Sequence, residues 1–302
     1  MATVLVCGGT GFIGSHIVRR FLKRGHKVLV MTRNPEQARG KVPAGVDLRP
    51  GDTADTASLE RAMTGVDTVV AAVQFPNHPV EKPSKGHTYL QVDGEGTARL
   101  VAAAQKSGVQ RFIYLSGAGT RPGRSEPWFV AKNMAEKAVR ESGMAYTIIR
   151  PSWVYGPEDR SLNKFATFAR VLPFIPVIGN GKTKVQPVHV DDVAEAIAAS
   201  LETPAAHNKV YELGGPQELS MDEIITTMLR TMGKRKPLIH HPVWFMKLVT
   251  APLVLLPTPP LSPGAVDFVM MEETVDSTGL LQDLRIKLTP LAEGLAYLRP
   301  TP

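Results

Sequence analysis

Apolar positions follow two rhythms in the first half of the chain. Short β-branched runs over Thr3–Val6, Lys27–Thr32, Asp47–Pro50, Asp67–Val73, Arg111–Leu115 and Tyr146–Ile149 read as strands. Between them, apolar residues recur at helical spacing over Phe12–Lys23, Thr56–Met63, Tyr89–Ser107 and Phe129–Ser142. Gly25 and Gly108 stand where the first and third of these helices should stop. Strand and helix alternating in this way predict βαβ units. The expected fold class is therefore α/β, with a doubly wound parallel sheet.

After Arg150-Pro151 the texture changes, with denser Pro and Gly and fewer strands. Pro187–Val190 and Lys209–Leu213 predict two more strands. The helix between them, Asp191–Leu201, is expected to be capped by Asp191 or Asp192. Ser220–Met232 reads as a helix opened by Ser220 with Glu223 three residues on, the capping-box pattern. The rest of the C-terminal region predicts a smaller, mainly helical lobe.

Between the first strand and the first helix runs Cys7-Gly8-Gly9-Thr10-Gly11-Phe12-Ile13-Gly14. Gly8 suits the tight turn, Gly11 a close approach of backbone to a pyrophosphate, and Gly14 tight packing of helix on strand. The helix start offers unpaired N–H donors and a partial positive charge to phosphate. A Rossmann dinucleotide site is the reading this context supports. The second strand ends on Thr32-Arg33, where an acidic residue would bind a ribose 2′-hydroxyl. Arg33, with Arg39 a few residues on, instead suits a 2′-phosphate, so NADP(H) is preferred and NAD(H) is the alternative. Residues 1–156 and 182–214 are assigned to the nucleotide-binding domain, and residues 157–181 and 215–302 to the smaller substrate or interaction lobe.

The chain also carries Gly51-Asp52-Thr53, Val92-Asp93-Gly94-Glu95-Gly96-Thr97, Arg111–Ser116, Arg150–Pro157 and Val188–Val193 in this order. Together with the glycine loop, these segments resemble the short-chain dehydrogenase/reductase superfamily in its extended and atypical branches. The resemblance implies that Asp52 meets the adenine, although its own surroundings also suit a turn cap. It implies that Thr53, Ala71, Ala72 and Val73 line the adenosine side, and that Leu115, Ser116 and the segment Pro151, Ser152, Trp153 and Val154 run past the nicotinamide. The usual chemistry of the superfamily needs a Tyr with a Lys four residues later and a nearby hydroxyl. The matching segment here is Trp128-Phe-Val-Ala-Lys132, and the hydroxyl position falls on Gly117. An indole N–H only donates and does not exchange protons at neutral pH. The pattern is similar to the atypical group that includes the nucleotide-binding accessory subunit of respiratory complex I.

That resemblance leaves three functions open. The first is a reductase-like protein acting on a hydrophobic quinone- or enone-like acceptor, with Lys132 holding the ribose or acting as the acid. The second is a non-catalytic accessory, assembly or redox-sensing protein. The third is a nucleotide-sugar epimerase or dehydratase, which Trp128 and Gly117 disfavour.

Composition narrows the partners. Hydrophobic residues make up 43% and charged residues 21%, which excludes a disordered or collagen-like chain. Lys and Arg number 35 against 28 Asp and Glu, a net charge of +7. No helix-turn-helix, zinc-finger or basic–aromatic pattern accompanies it, so nucleic acid is not expected. The single Cys7 allows no internal disulfide and fits a reducing compartment; it reads as a small apolar filler. No leader or membrane span is expected, so the expected location is cytoplasmic, with contact at a membrane periphery as the variant. His240-His241 lacks other ligands at metal spacing, and no metal is expected. Tyr89, Tyr114 and Tyr155 read as core aromatics. The apolar run Val243–Leu256 reads first as buried. Its alternative is an exposed surface for a protein complex, a membrane or a lipid-like molecule.

Overall fold

The computed structural model describes residues 1–76, 78–256, 261–272 and 274–300, without the side chains of Leu255 and Ala265. Seven strands form its main sheet: β1 (Thr3–Cys7), β2 (Lys27–Thr32), β3 (Asp47–Pro50), β4 (Thr68–Ala71), β5 (Arg111–Leu115), β6 (Ala145–Pro151) and β7 (Lys209–Leu213). Every pairing is parallel, in the order β7-β6-β5-β4-β1-β2-β3. The connection reverses between β1 and β4, where Cys7 sits opposite Ala71. In sheets of this kind ligands bind at that crevice, outside the carboxyl ends of the strands.

Both faces of the sheet are covered, which is why its strands read as continuous apolar runs. Val4, Val6, Val28, Val30, Ile113 and Ile149 pack on one side with α1 (Phe12–Lys23). Leu5, Leu29, Val69, Phe112 and Ile148 pack on the other with α2 (Thr56–Ala62) and α3 (Gly96–Lys106). Cys7 belongs to this second core and its thiol is pushed up to about 12 by burial, as expected of a filler. A third apolar core lies outside the sheet, around Leu162, Ala166, Ile175, Ile224 and Leu291.

Several elements depart from the sequence pattern. The stretch expected as one helix over Tyr89–Ser107 is a π-helix over Tyr89–Glu95 that turns into α3. Gly94 explains the wider turn locally, since a Cβ there would lie 3.2 Å from the Cα of Ala131 on the neighbouring helix α4 (Pro127–Glu141). Helix α4 starts two residues before Phe129, with Pro127 at its opening, a position where the missing N–H costs nothing. The helix before β7, α5 (Val190–Glu202), is capped by neither aspartate. His189 accepts from the Asp191 N–H, while Asp192 reaches across to accept from the Thr289 N–H and hydroxyl at 2.7 and 2.8 Å. The capping box forms as expected: Ser220 N–H donates to Glu223 at 2.7 Å and Glu223 N–H donates back at 3.3 Å.

The apolar run Val243–Leu256 is not buried. It forms helix α6 (Val243–Thr250) followed by a 3₁₀ turn, with Trp244 68% and Leu248 64% exposed. These two residues are four apart, so they share a face, while Met246 on the other side lines the main cleft. Hydropathy alone cannot tell a buried apolar helix from one presented to a partner. No helix among the described residues is long and apolar enough to cross a membrane.

Candidate functional site

One cleft of about 1770 Å³ runs over the carboxyl ends of β1, β2, β4, β5 and β6. Its phosphate end is the glycine loop. Gly8 has φ +90, and a Cβ there would lie 2.3 Å from the Ala72 carbonyl oxygen. At Gly14 a Cβ would lie 2.1 Å from the Gly8 carbonyl oxygen, so any side chain would push α1 off the strand. Gly11 closes the loop by donating to Gly8 O at 2.9 Å and stands at the N-cap of α1 without a side-chain cap. The first turn of α1 contains no acidic residue. Its opening amides therefore face the cleft as donors for an anion.

The structure brings nearly all the sequence-predicted residues to this cleft. Gly8, Thr10, Gly11, Phe12, Ile13, Gly14, Arg33, Asp52, Thr53, Ala72, Val73, Leu115, Ser116, Lys132, Pro151, Ser152, Trp153 and Val154 all line it. Ala71 does not. It is the last residue of β4 and is fully buried between the strand and the helices below, so the adenosine wall starts one residue later. Arg39 is also outside the cleft, on the surface beside Glu36 at 3.1 Å. Lys41, which the sequence reading passed over, lines the cleft together with Arg33. Asp52 stands at the cleft and also closes a turn. It lines the cleft, and its carboxylate accepts from the Ala54 N–H at 3.0 Å. The helix cap itself is Asp55, which accepts from the Ala57 and Ser58 N–H groups.

At the other end, Trp128 and Gly117 form one steric unit. A Cβ on Gly117 would lie 2.6 Å from the indole ring. The indole thus occupies the space a hydroxyl side chain at 117 would need, and the two departures from the superfamily pattern imply each other. The neighbouring Ser116 is no substitute, because its hydroxyl donates to the buried Glu136 at 2.7 Å. Glu136 in turn holds Arg150 at 2.7 and 2.8 Å and pairs with Arg140. Thr120 is likewise committed, donating to Gly117 O at 2.7 Å.

Lys132 lies on the cleft floor, almost wholly buried, with Nζ 4.8 Å from the Trp128 ring centre. Its counter-charge is Asp93, fully buried, with 3.6 Å between Nζ and Oδ1. Burial lowers the lysine pKa against the pull of Asp93. Burial also pushes Asp93 up to about 6, with Lys132 opposing.

His78 is the residue that the sequence reading missed. It sits in the loop after β4, lines the cleft, and is ringed by Phe75, Tyr89, Trp128 and Phe268 at centroid distances of 5.2 to 5.6 Å. Burial, helped by the charge of Lys132, drives its pKa down to about 3. No periodicity marks a lone His in a Pro-flanked loop, so only the fold reveals it. Tyr114 and Tyr155 are core side chains, as expected, while Tyr89 packs into this ring cluster. His240 pairs with Asp222 at 2.9 Å. Among the described residues no three potential metal ligands come together.

The profile of the NAD dependent epimerase/dehydratase family matches residues 4–214, more than half of the chain. The chain belongs to that family. Within it, the chain resembles the complex I accessory group: it is 30% identical over 254 residues to the mitochondrial NADH dehydrogenase [ubiquinone] 1 alpha subcomplex subunit 9 of Arabidopsis thaliana. That match covers 82% of this chain but spans only 62% of the relative's length. An NAD(P)H azoreductase of Xenophilus azovorans is 27% identical, with 76% of this chain and 74% of the enzyme covered. Among solved structures, an NADPH-dependent quinone oxidoreductase from Escherichia coli aligns with a TM-score of 0.77 at 20% identity, covering 98% of this chain and 99% of that one. At that identity the likeness speaks for the epimerase/dehydratase fold alone.

Proposed function

We propose that this member of the epimerase/dehydratase family is an NADP(H)-binding reductase that acts on a hydrophobic, quinone- or enone-like acceptor. The observation that carries the proposal is the buried Lys132 on the cleft floor beneath Trp128. The cleft fits the dinucleotide: a glycine cradle with no room for a Cβ, helix-start amides without a side-chain cap, and two cations, Arg33 and Lys41. The amides of the first turn of α1 hold the pyrophosphate. Arg33, exposed and without an ion pair among the described residues, takes the 2′-phosphate with Lys41 beside it. Asp52, Thr53, Ala72 and Val73 flank the adenosine, and Pro151 to Val154 flank the nicotinamide.

When bound, the nicotinamide supplies hydride. Trp128 excludes water from the space next to it. Lys132 Nζ holds the ribose and, when charged, can pass a proton to a reduced acceptor; Asp93 stands behind it as counter-charge. Names borne by relatives, azoreductase and quinone oxidoreductase, support an acceptor of this kind. Epimerisation or dehydration of sugars is not supported, because an indole stands in place of the acid those reactions need.

A second reading is a non-catalytic NADPH-loaded accessory protein. It is favoured by the apolar face of Trp244 and Leu248, suited to a protein partner, and by the complex I subunit among the relatives. One experiment separates the two. The purified protein is assayed for bound nucleotide, then for NADPH oxidation with a panel of quinones and enones. Turnover that falls far more in Lys132→Ala than NADPH affinity does supports the reductase. Tight NADPH without turnover supports the accessory role. Arg33→Ala should weaken NADPH about tenfold, the loss of a charge-assisted pair, and leave NADH unchanged. Equal loss for both nucleotides sinks the 2′-phosphate assignment.

A further inference from the structure

The cleft of about 1770 Å³ also takes in Phe75, His78, Trp128 and Phe268, which all line it. Three of these come from the sheet half of the chain, and Phe268 comes from the helix Pro263–Val269 of the C-terminal region. The rings meet edge to face or tilted, the arrangement that aromatic quadrupoles favour. They form a basket with flat apolar walls.

One atom in that basket is out of place. Nε2 of His78 is buried and has no hydrogen-bond partner among the described residues. A buried polar nitrogen without a partner costs free energy, and native structures rarely keep one without reason. The imidazole also stays neutral across the physiological range. A neutral imidazole nitrogen donates in one tautomer and accepts in the other. It can therefore meet a carbonyl oxygen or a hydroxyl at the same spot.

We infer that this basket is a second ligand subsite, for a flat ring compound bearing a carbonyl or hydroxyl oxygen, and that His78 Nε2 recognises that oxygen. This inference rests on the reductase reading only for the role of the ligand as acceptor. The recognition itself needs no dinucleotide.

Menadione serves as the probe, and 2-methylnaphthalene as the same ring system without the oxygens. Both are titrated calorimetrically into the cofactor-free full chain. His78→Phe keeps a ring in the basket and removes the nitrogen. It should weaken menadione about tenfold and leave 2-methylnaphthalene unchanged, since one hydrogen bond to a buried group is lost. Equal weakening of both compounds, or of neither, overturns the inference. Should the variant fold poorly, the wild-type protein gives the answer with ¹⁵N-labelled histidine. Menadione should shift one imidazole nitrogen resonance that 2-methylnaphthalene leaves in place, and no such difference overturns the subsite. NADPH binding is measured separately on the same wild-type preparation. Its absence would sink the dinucleotide reading while leaving the subsite standing.

Discussion

At the phosphate end of the cleft the recognition surface is backbone; at the other end it is side chain. The glycine loop and the start of α1 offer amides, and their shape is enforced by contacts that exclude any Cβ at Gly8 or Gly14. The far end is assembled from the loop after β4, the π-helix, α4 and the C-terminal region, which contribute His78, Asp93, Trp128 with Lys132, and Phe268. A backbone surface tolerates little change but asks little of chemistry. A side-chain surface can be rewritten one residue at a time.

Four substitutions test that contrast, from the largest expected effect to the smallest. Gly14→Ala puts a Cβ 2.1 Å from the Gly8 carbonyl oxygen, where only backbone can yield. It should cost about 3–4 kcal/mol of stability and abolish nucleotide binding, read by thermal melting and NADPH titration. A variant that melts and binds normally would break the backbone half of the comparison.

Lys132→Met leaves Asp93 buried without a counter-charge. About 3 kcal/mol should be lost. The sign with pH follows from Asp93, whose carboxyl already sits up at about 6 with the lysine present. Without it the folded value rises further, so stability falls as pH increases above the unfolded carboxylate value. Adding Asp93→Asn should restore most of the loss and remove the slope. If the double variant is no better than the single one, the pair is not coupled.

Gly117→Ser drives its Cβ against the indole and should cost about 2 kcal/mol. In a Trp128→Tyr background the same change should cost much less. A double-mutant cycle with no coupling would show that the two positions do not form one steric unit.

At neutral pH the smallest effect concerns His78, whose contribution appears only on acidification. Its folded pKa of about 3 lies below the ordinary 6.5, so the folded state binds fewer protons between those values. Stability should therefore be full above pH 6.5 and fall towards pH 3, by up to about 1.4 kcal/mol per pH unit for one proton. His78→Phe should flatten that part of the melting-temperature profile. An unchanged profile would mean that the imidazole is hydrated after all.

The same contrast explains what could be read from the sequence. The glycine loop was legible because each glycine answers a local steric demand. The sheet was legible because burial on both faces leaves unbroken apolar runs. Lys132 and Trp128 were legible only through the resemblance to the superfamily's Tyr–Lys pair. Ala71 was misplaced by a single residue, since the pattern cannot say where a strand stops pointing into the core. Ser116 showed a free hydroxyl in sequence and a committed one in space, because Glu136 arrives from a different element. Val243–Leu256 was read first as core, because hydropathy does not say which side of a helix meets a neighbour. His78 was invisible, because its environment is made by rings from four separate stretches of chain.

Glu136 has a wider consequence. It lies four residues after Lys132 on α4, at the junction of Ser116 from the end of β5 and Arg150 from β6. The helix is thereby anchored to the sheet by residues that touch no ligand. Its register and rotation therefore have a support away from positions 128 and 132. The ring at position 128 could be exchanged without the rest of the scaffold drifting, and a designer could use that position as a socket for new chemistry.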